Sequence, residues 1–318
     1  MATKVYLPMD TTAVAMGADE VAKAILFQTR DHAEPINLVR NGSRGMFYLE
    51  PLLEVETEAG RVAYGPVSVD DVASLLSQGA LEGSDQHPLY LGLTEQIPYL
   101  AKQQRLTFTR AGVIDPQSID DYLLHEGFVG LNNALNLISA PLNDAEEEFV
   151  SPSQRIVEQV KLSGLRGRGG AAFPTGIKWQ TVLASPITRV NEKKYIVCNA
   201  DEGDSGTFAD RLIMEADPFS LIEGMIIAGL AVGATQGYIY LRSEYPLAQQ
   251  VLENAIEQAY EHNYLGDNIQ GKGHRFDLEV RLGAGAYICG EETSLLESLE
   301  GKRGLVRGVL GIFPSKVT

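Results

Sequence analysis

The segment Gly164-Leu165-Arg166-Gly167-Arg168-Gly169-Gly170-Ala171-Ala172-Phe173-Pro174-Thr175-Gly176-Ile177-Lys178-Trp179 carries five glycines in its first thirteen positions, with Arg166 and Arg168 between them and Lys178 just after. Glycines without side chains let a ligand approach the backbone closely, and successive N–H groups form a concavity that holds anions. The three cations reverse the sign of a chain that is otherwise acidic, which leaves a phosphorylated small ligand open despite the global charge. The segment departs from the dinucleotide pattern G-x-G-x-x-G, because Ala172 stands where the third glycine belongs, and it lacks the Gly-Lys-Ser/Thr ending of a P-loop. The bland alternative is a Gly-rich surface turn with solvated arginines.

Two further segments group polar residues after an apolar run. Asn199-Ala200-Asp201-Glu202-Gly203-Asp204 places carboxylates where ribose hydroxyls, a flavin or a metal ion could be held, although Asn, Asp and Gly also make turns without function. Gly283-Ala284-Gly285-Ala286-Tyr287-Ile288-Cys289-Gly290-Glu291-Glu292-Thr293 joins a glycine loop to two acids. Those acids either bind a ligand's hydroxyls or simply complement the positive end of a helix. Cys198 and Cys289 read as buried reduced thiols, and no Cys/His pair lies close enough in sequence for nucleophilic catalysis. His32, His87, His125, His262 and His274 are scattered without metal-ligand spacing, so neither a catalytic side chain nor a protein-held metal is expected. Trp179 and Tyr287 fit either a core or a ring-stacking role.

The elements that must position these residues show in the hydrophobic pattern. Strands are expected at Tyr195–Cys198, Gly237–Leu241 and Phe276–Leu282, alternating with helices at Pro218–Ala234, Pro246–Tyr260 and Glu291–Leu299. That alternation predicts a largely parallel α/β layer with ligands outside the carboxyl ends of its strands. Nearer the start, a helix over Asp19–Thr29, a strand over Ile36–Arg40, a hairpin of Leu52–Glu56 with Arg61–Tyr64, and a capping box at Ser68-Val69-Asp70-Asp71 make a small α/β unit. Residues 80–115 are richer in Gly, Pro and polar residues, so the junction is expected there, giving domains 1–90 and 91–318. The run Asp144-Ala145-Glu146-Glu147-Glu148 reads as a solvated helix face.

Composition excludes several classes. The chain has 318 residues, 44% of them hydrophobic, which is ample for a buried core. Its 26 Lys+Arg against 42 Asp+Glu give a net charge of −16, which opposes binding to nucleic acid or anionic lipid. The most apolar stretch, Leu221–Ala234, is interrupted by Glu223 and falls short of the roughly 20 residues a bilayer span needs, so no membrane insertion is expected. The opening Met1-Ala2-Thr3-Lys4-Val5 lacks an export signal, which makes the cytoplasm the expected location. Two cysteines are too few for a disulfide scaffold or for a four-ligand iron–sulfur cluster.

Taken together and in this order, Gly164–Trp179, Asn199–Asp204 and Gly283–Ser298 resemble the flavin- and NADH-binding subunit of respiratory complex I and its soluble relatives, the diaphorase subunits of NAD-dependent hydrogenases and formate dehydrogenases. The resemblance runs from about residue 95 to Arg307. It implies a Rossmann-like flavin domain holding noncovalent FMN, with NAD(H) stacked on the flavin ring. It places Gly167, Arg168, Gly169, Gly170, Lys178, Asn199, Asp201, Glu202, Gly290, Glu291 and Glu292 around FMN, and Phe173, Lys178, Asp204, Tyr287 and Glu292 toward the nicotinamide nucleotide. No residue acts covalently, since the flavin carries the hydride chemistry.

The N-terminal unit resembles the family's thioredoxin-like ferredoxin domain, through Tyr48-Leu49-Glu50-Pro51-Leu52-Leu53-Glu54-Val55 and Tyr64-Gly65-Pro66-Val67. Cluster cysteines are missing around Gly42-Ser43-Arg44-Gly45-Met46, which implies a cluster-free docking module. A cluster-free domain ahead of a flavin domain most resembles the beta subunit of a soluble, molybdenum-containing, NAD-dependent formate dehydrogenase. The implied partners are an iron–sulfur thioredoxin-like subunit and a molybdenum/iron–sulfur catalytic subunit, the latter handling formate. Hydrogenase diaphorase and complex I subunit stand as alternatives, as does a flavin-poor docking fragment. Two departures from the family stand out: Ala172 replaces a frequent glycine, and after Gly301–Arg307 the chain reads Gly308-Val309-Leu310-Gly311-Ile312-Phe313-Pro314 and ends at Thr318. The family continues there into an Asn-Asn flavin contact and a helical domain with a 4Fe–4S cluster, so part of the flavin site and the electron exit are expected to be absent from this chain.

Overall fold

The computed structural model describes residues 2–32, 35–141, 151–168, 171–186 and 193–307. Gly169, Gly170, the acidic run Asp144–Glu148 and the tail Gly308–Thr318 lie outside the described residues. Two compact units form, Met1–His125 with Leu212–Pro218, and Glu126–Arg211 with Phe219–Thr318. The first unit thus takes in more chain than the small unit read from the sequence.

The first unit contains β1 (Thr3–Tyr6), α1 (Thr11–Ala15), α2 (Ala18–Thr29), β2 (Ile36–Val39), β3 (Leu53–Thr57), β4 (Gly60–Tyr64), α3 (Val72–Ser77), β5 (Tyr90–Leu93), α4 (Pro98–Ala101) and α5 (Ile119–Leu124). Its sheet runs β2-β1-β3-β4-β5, with β1 parallel to β2 and the other pairs antiparallel. This mixed α/β order agrees with the thioredoxin-like expectation. The strand period of two sorts the side chains: Val62 and Tyr64 join Val5, Leu53, Val55, Val21 and Ile25 in one core, while Ala63 joins Met46, Leu52, Ile97 and Leu100 in a second. The Ser68 capping box forms, its backbone N–H donating to Asp71 at 2.9 Å ahead of α3. Strands β1 and β5 were not read from the sequence; β1 is only four residues long yet lies between β2 and β3.

The loop Gly42–Met46 is closed by charge. Arg44, 3% exposed, places Nε and Nη2 on the two oxygens of the fully buried Glu54 at 2.7 and 2.9 Å, and Nη1 on Glu95 at 2.6 Å. Gly112 makes room for it, since a Cβ there would lie 2.1 Å from Arg44 Cγ. Glu50 is 1% exposed and accepts from Ser43 Oγ at 2.7 Å and Leu52 N–H at 2.9 Å. Burial, and then the nearby Asp10 carboxylate, push its pKa up to about 8.

The second unit holds α6 (Val129–Ser139), α7 (Pro152–Leu162), α8 (Thr175–Ala184), β6 (Tyr195–Ala200), α9 (Ala209–Ala216, its last residues counted with the first unit), α10 (Pro218–Val232), β7 (Gln236–Leu241), α11 (Pro246–Glu261), β8 (Asp277–Leu282) and α12 (Glu292–Leu299). Strands β6, β7 and β8 pair in that order and all in parallel, the arrangement expected of a Rossmann-like layer. Helix α10 is the buried helix anticipated from its composition, with Phe219, Ile222 and Ile226 fully enclosed. Glu223, which interrupts its apolar run, accepts from the N–H groups of Phe128 and Leu131 at 2.9 and 2.8 Å and so satisfies the start of α6. No described helix is long and apolar enough to cross a membrane.

Candidate functional site

Register decides what meets at the end of the parallel sheet. Ala200 pairs with Leu241 and Leu241 with Leu282, so the three strands stop level and the next residues, Asp201, Arg242 and Gly283, start side by side. Two backbone bonds extend the ladder one step further, Arg242 N–H to Ala200 O at 3.1 Å and Gly283 N–H to Leu241 O at 2.8 Å. The carboxyl ends of parallel strands in α/β layers are where ligands bind.

The second and third sequence segments are brought together there. Asn199 donates its amide to Gly290 O at 2.8 Å, and Tyr287 donates its phenol to Asp204 at 2.5 Å. That bond raises the pKa of the Tyr287 phenol. The Tyr287 ring, 71% exposed, lies against Gly203, where a Cβ would meet it at 2.8 Å. Gly290 also comes close to the other loop, a Cβ there falling 3.2 Å from Asp201 O.

The acids divide by what already holds them. Glu202, 6% exposed, accepts from the N–H groups of Asp210 and Arg211 at 3.0 and 3.1 Å and from the Tyr245 phenol at 3.2 Å, so both of its oxygens are engaged at the start of α9. Glu291 caps α12: one oxygen takes the N–H of Thr293, the hydroxyl of Thr293 and the N–H of Ser294 at 3.0, 2.6 and 2.9 Å. Burial works against its charge, but these donors outweigh burial and hold the Glu291 carboxyl below its ordinary pKa. Burial raises the Asp201 pKa, while Arg242 opposes the rise and Glu244 adds to it. Glu292 is exposed in the first turn of α12.

The described residues of the glycine-rich segment bond to one another. Gly167 N–H bonds to Phe173 O at 3.0 Å, Thr175 N–H to Leu165 O at 2.9 Å, and Arg166 reaches Ala172 O at 3.1 Å. Gly167, Arg168, Phe173 and Lys178 are exposed. None of the polar contacts among the described residues joins Arg168, Phe173 or Lys178 to the loops after β6 and β8. Ala172 has φ +51°, the left-handed region in which glycine is at ease.

Arg242 and Tyr245 were missed from sequence, and both bear on Glu202. The signal that finds them is register, because Arg242 is the first residue past β7 as Asp201 is past β6. Among the described residues no group of three His, Cys, Asp or Glu is arranged to hold a metal ion. Cys289 is buried as expected, whereas Cys198 is half-buried; desolvation still pushes the Cys198 thiol up to about 12, far from a reactive thiolate.

Comparison with known proteins puts this geometry in a family. The family model of the Nuo51 FMN-binding domain matches residues 160–315, a span that includes the glycine loop and both tied loops. Residues 160–315 belong to the Nuo51 FMN-binding family. Around this FMN-binding domain the chain is 49% identical over 203 residues to the NADP-reducing hydrogenase subunit HndC of Solidesulfovibrio fructosivorans, covering 64% of this chain and 38% of that one. It is 51% identical over 152 residues to the mitochondrial NADH-ubiquinone oxidoreductase 51 kDa subunit of Neurospora crassa, covering 48% of this chain and 31% of that one. The chain therefore spans well under half the length of these relatives. Among solved structures, an NAD+-reducing nickel–iron hydrogenase in its air-oxidised state aligns over 96% of this chain and 47% of its own, with a TM-score of 0.46 and 24% identity.

The FMN-binding domain suits a flat ring with a phosphate tail in the kinds of groups it offers. Gly203 leaves backbone without a side chain beside the Tyr287 ring and Gly290 does so beside Asp201 O, the second oxygen of Glu291 accepts no bond among the described residues, and Arg168 and Lys178 are exposed cations.

Proposed function

We propose that the second unit binds FMN and passes a hydride between NAD(H) and that flavin, as the diaphorase subunit of a larger oxidoreductase. The observation that carries this reading is the pair of ties, Asn199 to Gly290 and Tyr287 to Asp204, that join two loops at the level carboxyl ends of β6 and β8 within the matched family segment. FMN, when bound, supplies the hydride chemistry, and the protein supplies binding and orientation. Gly167, Arg168, Gly169, Gly170 and Lys178 would hold the phosphate. Asn199, Asp201, Gly290, Glu291 and Glu292 would surround the flavin, with Glu202 contributing its main chain, since its carboxylate is spent on α9 and Tyr245. Phe173, Lys178, Asp204, Tyr287 and Glu292 would face the nicotinamide nucleotide. The acids Asp204 and Glu292 favour NAD over NADP by repelling a 2′-phosphate; a kinetic preference for NADPH overturns that part.

The first unit is, in this reading, a docking module, and single electrons leave through iron–sulfur clusters held elsewhere, because Cys198 and Cys289 are too few to ligate one. The finer assignment is to an NAD-dependent formate dehydrogenase, with an iron–sulfur thioredoxin-like subunit and a molybdenum/iron–sulfur subunit as partners. It is supported by the Gly42–Met46 loop, which an Arg44–Glu54 ion pair fills in place of cluster ligands. Co-purification with molybdenum supports that assignment, and nickel or a membrane arm redirects it to a hydrogenase or to complex I.

The deciding experiment is the visible spectrum of the purified chain after FMN reconstitution, followed by anaerobic NADH. Retained flavin absorbance that bleaches on NADH addition is the expected result. A folded chain that keeps no flavin but still binds its partners overturns the reading in favour of a docking role.

A further inference from the structure

We infer that Arg242 is a positioning residue of this site, which holds the Glu202 peptide from the turn after β7 and offsets the charge of the Asn199–Asp204 loop. The inference rests on the reading that this end of the sheet binds FMN, and adds to it a residue outside the three glycine- and acid-rich segments.

Several observations converge on Arg242. Its backbone N–H donates to Ala200 O at 3.1 Å, which fixes where its side chain begins. Its Nη1 donates to the main-chain carbonyl of Glu202, while its Nε pairs with Glu244 at 3.2 Å. One planar guanidinium thus spans two acceptors in a fixed fork, an arrangement that a lysine ammonium cannot reproduce. Tyr245, three residues on, takes the other end of Glu202 by donating to its carboxylate at 3.2 Å. The peptide and the side chain of Glu202 are therefore both held from the same turn, and Glu202 is flanked in sequence by Asp201 and by Gly203, on which the Tyr287 ring rests. The Arg242 side chain is 26% exposed, so its charge is partly shielded from water and acts on its neighbours. The acids it faces are Asp201 on the loop after β6 and Glu244 on its own turn.

A cation at this point does two separable things. It orders the 201–204 backbone, with or without flavin, and it favours a bound flavin that has gained electrons over one that has not. Glutamine at 242 keeps a donor without the charge, and lysine keeps the charge without the fork, so the two variants separate the effects.

The test measures amide hydrogen exchange across residues 201–204 in the unloaded 318-residue chain, and the reduction potential of FMN bound to the wild type, Arg242→Gln and Arg242→Lys. Faster exchange at 201–204 in both variants, with β7 unchanged, is expected. The glutamine variant is expected to weaken reduced flavin about tenfold relative to oxidised flavin, a shift of about 30 mV to lower potential for a two-electron couple, and the lysine variant to recover most of it. Unchanged exchange in both variants overturns the positioning role, and equal potentials in all three proteins overturn the charge role. If the wild type binds no FMN, the functional reading fails by itself while the exchange measurement still decides whether Arg242 orders the loop.

Discussion

Asn199 donates its side-chain amide to the main-chain oxygen of Gly290, and this 2.8 Å bond ties the end of β6 to the residue before the α12 cap. The same side chain accepts from Asp201 N–H through Oδ1 at 3.3 Å, so its amide orientation is set from both sides. Asn199→Ala removes the tie and is expected to weaken FMN binding about tenfold, the worth of one hydrogen bond. Asn199→Asp is expected to be worse than alanine, because it turns a second oxygen toward the Gly290 carbonyl. Flavin fluorescence titration checks the order, and an aspartate variant that binds better than the alanine variant contradicts it.

Ala172→Gly is expected to stabilise the chain by about 1 kcal/mol, since a Cβ at φ +51° costs roughly 1–2 kcal/mol and glycine removes that cost at some expense in unfolded-chain entropy. A higher denaturant midpoint with an unchanged m-value is the expected reading.

Glu50 makes the first unit sensitive to base. Its folded-state carboxyl is raised from 4.5 to about 8, so the folded form binds a proton more tightly than the unfolded form does. Stability from this group is fully present below about pH 4.5 and is lost as pH rises through about 8. Glu50→Gln still accepts from Leu52 N–H and can donate to Ser43 Oγ, so it should match the wild type near pH 4.5 and exceed it by a growing margin up to about pH 8. Parallel stability curves for the two proteins between those limits would remove Glu50 as the cause.

Arg44→Met leaves the buried Glu54 with Arg61, 3.7 Å away, as its remaining cation, and is expected to cost about 3 kcal/mol, the low end for breaking a buried pair. Adding Glu54→Leu is expected to restore most of the loss, because the buried acid is gone and Arg61 keeps its bonds to the Gly112 and Val113 carbonyls. A double variant no more stable than the single one would show that the pair does more than neutralise itself.

Much of the second unit was legible because its periods are long and uninterrupted. Pro246–Glu261 repeats its apolar residues at helical spacing, and β6, β7 and β8 fall where the strands were expected. The glycine and acid segments were visible from composition, and two of the three do meet at the strand ends. What the sequence could not show was occupancy: Glu202 and Glu291 look like ligand-binding acids, yet each is partly or wholly committed to a helix start. Arg242 was hidden because its importance comes from cross-strand register and not from its neighbours in sequence. In the first unit, β5 escaped notice because Tyr90-Leu91-Gly92-Leu93 is short, contains a glycine at φ +89°, and lies in a stretch whose composition reads as linker.

The first unit is not one continuous piece of chain. Leu212–Pro218 returns to it, where Glu215 accepts from Thr11 N–H and Oγ1 at 2.8 and 2.6 Å and Asp217 pairs with Arg110 at 3.1 Å. A gene fragment ending at residue 125 would omit those two carboxylates, both nearly inaccessible to water in the folded unit, and with them Ala216, against which Gly42 packs. The module therefore cannot be moved between proteins as a simple N-terminal cassette. Recombination that exchanged it would have to carry a seven-residue graft from inside the flavin domain, which ties the inheritance of the two units together.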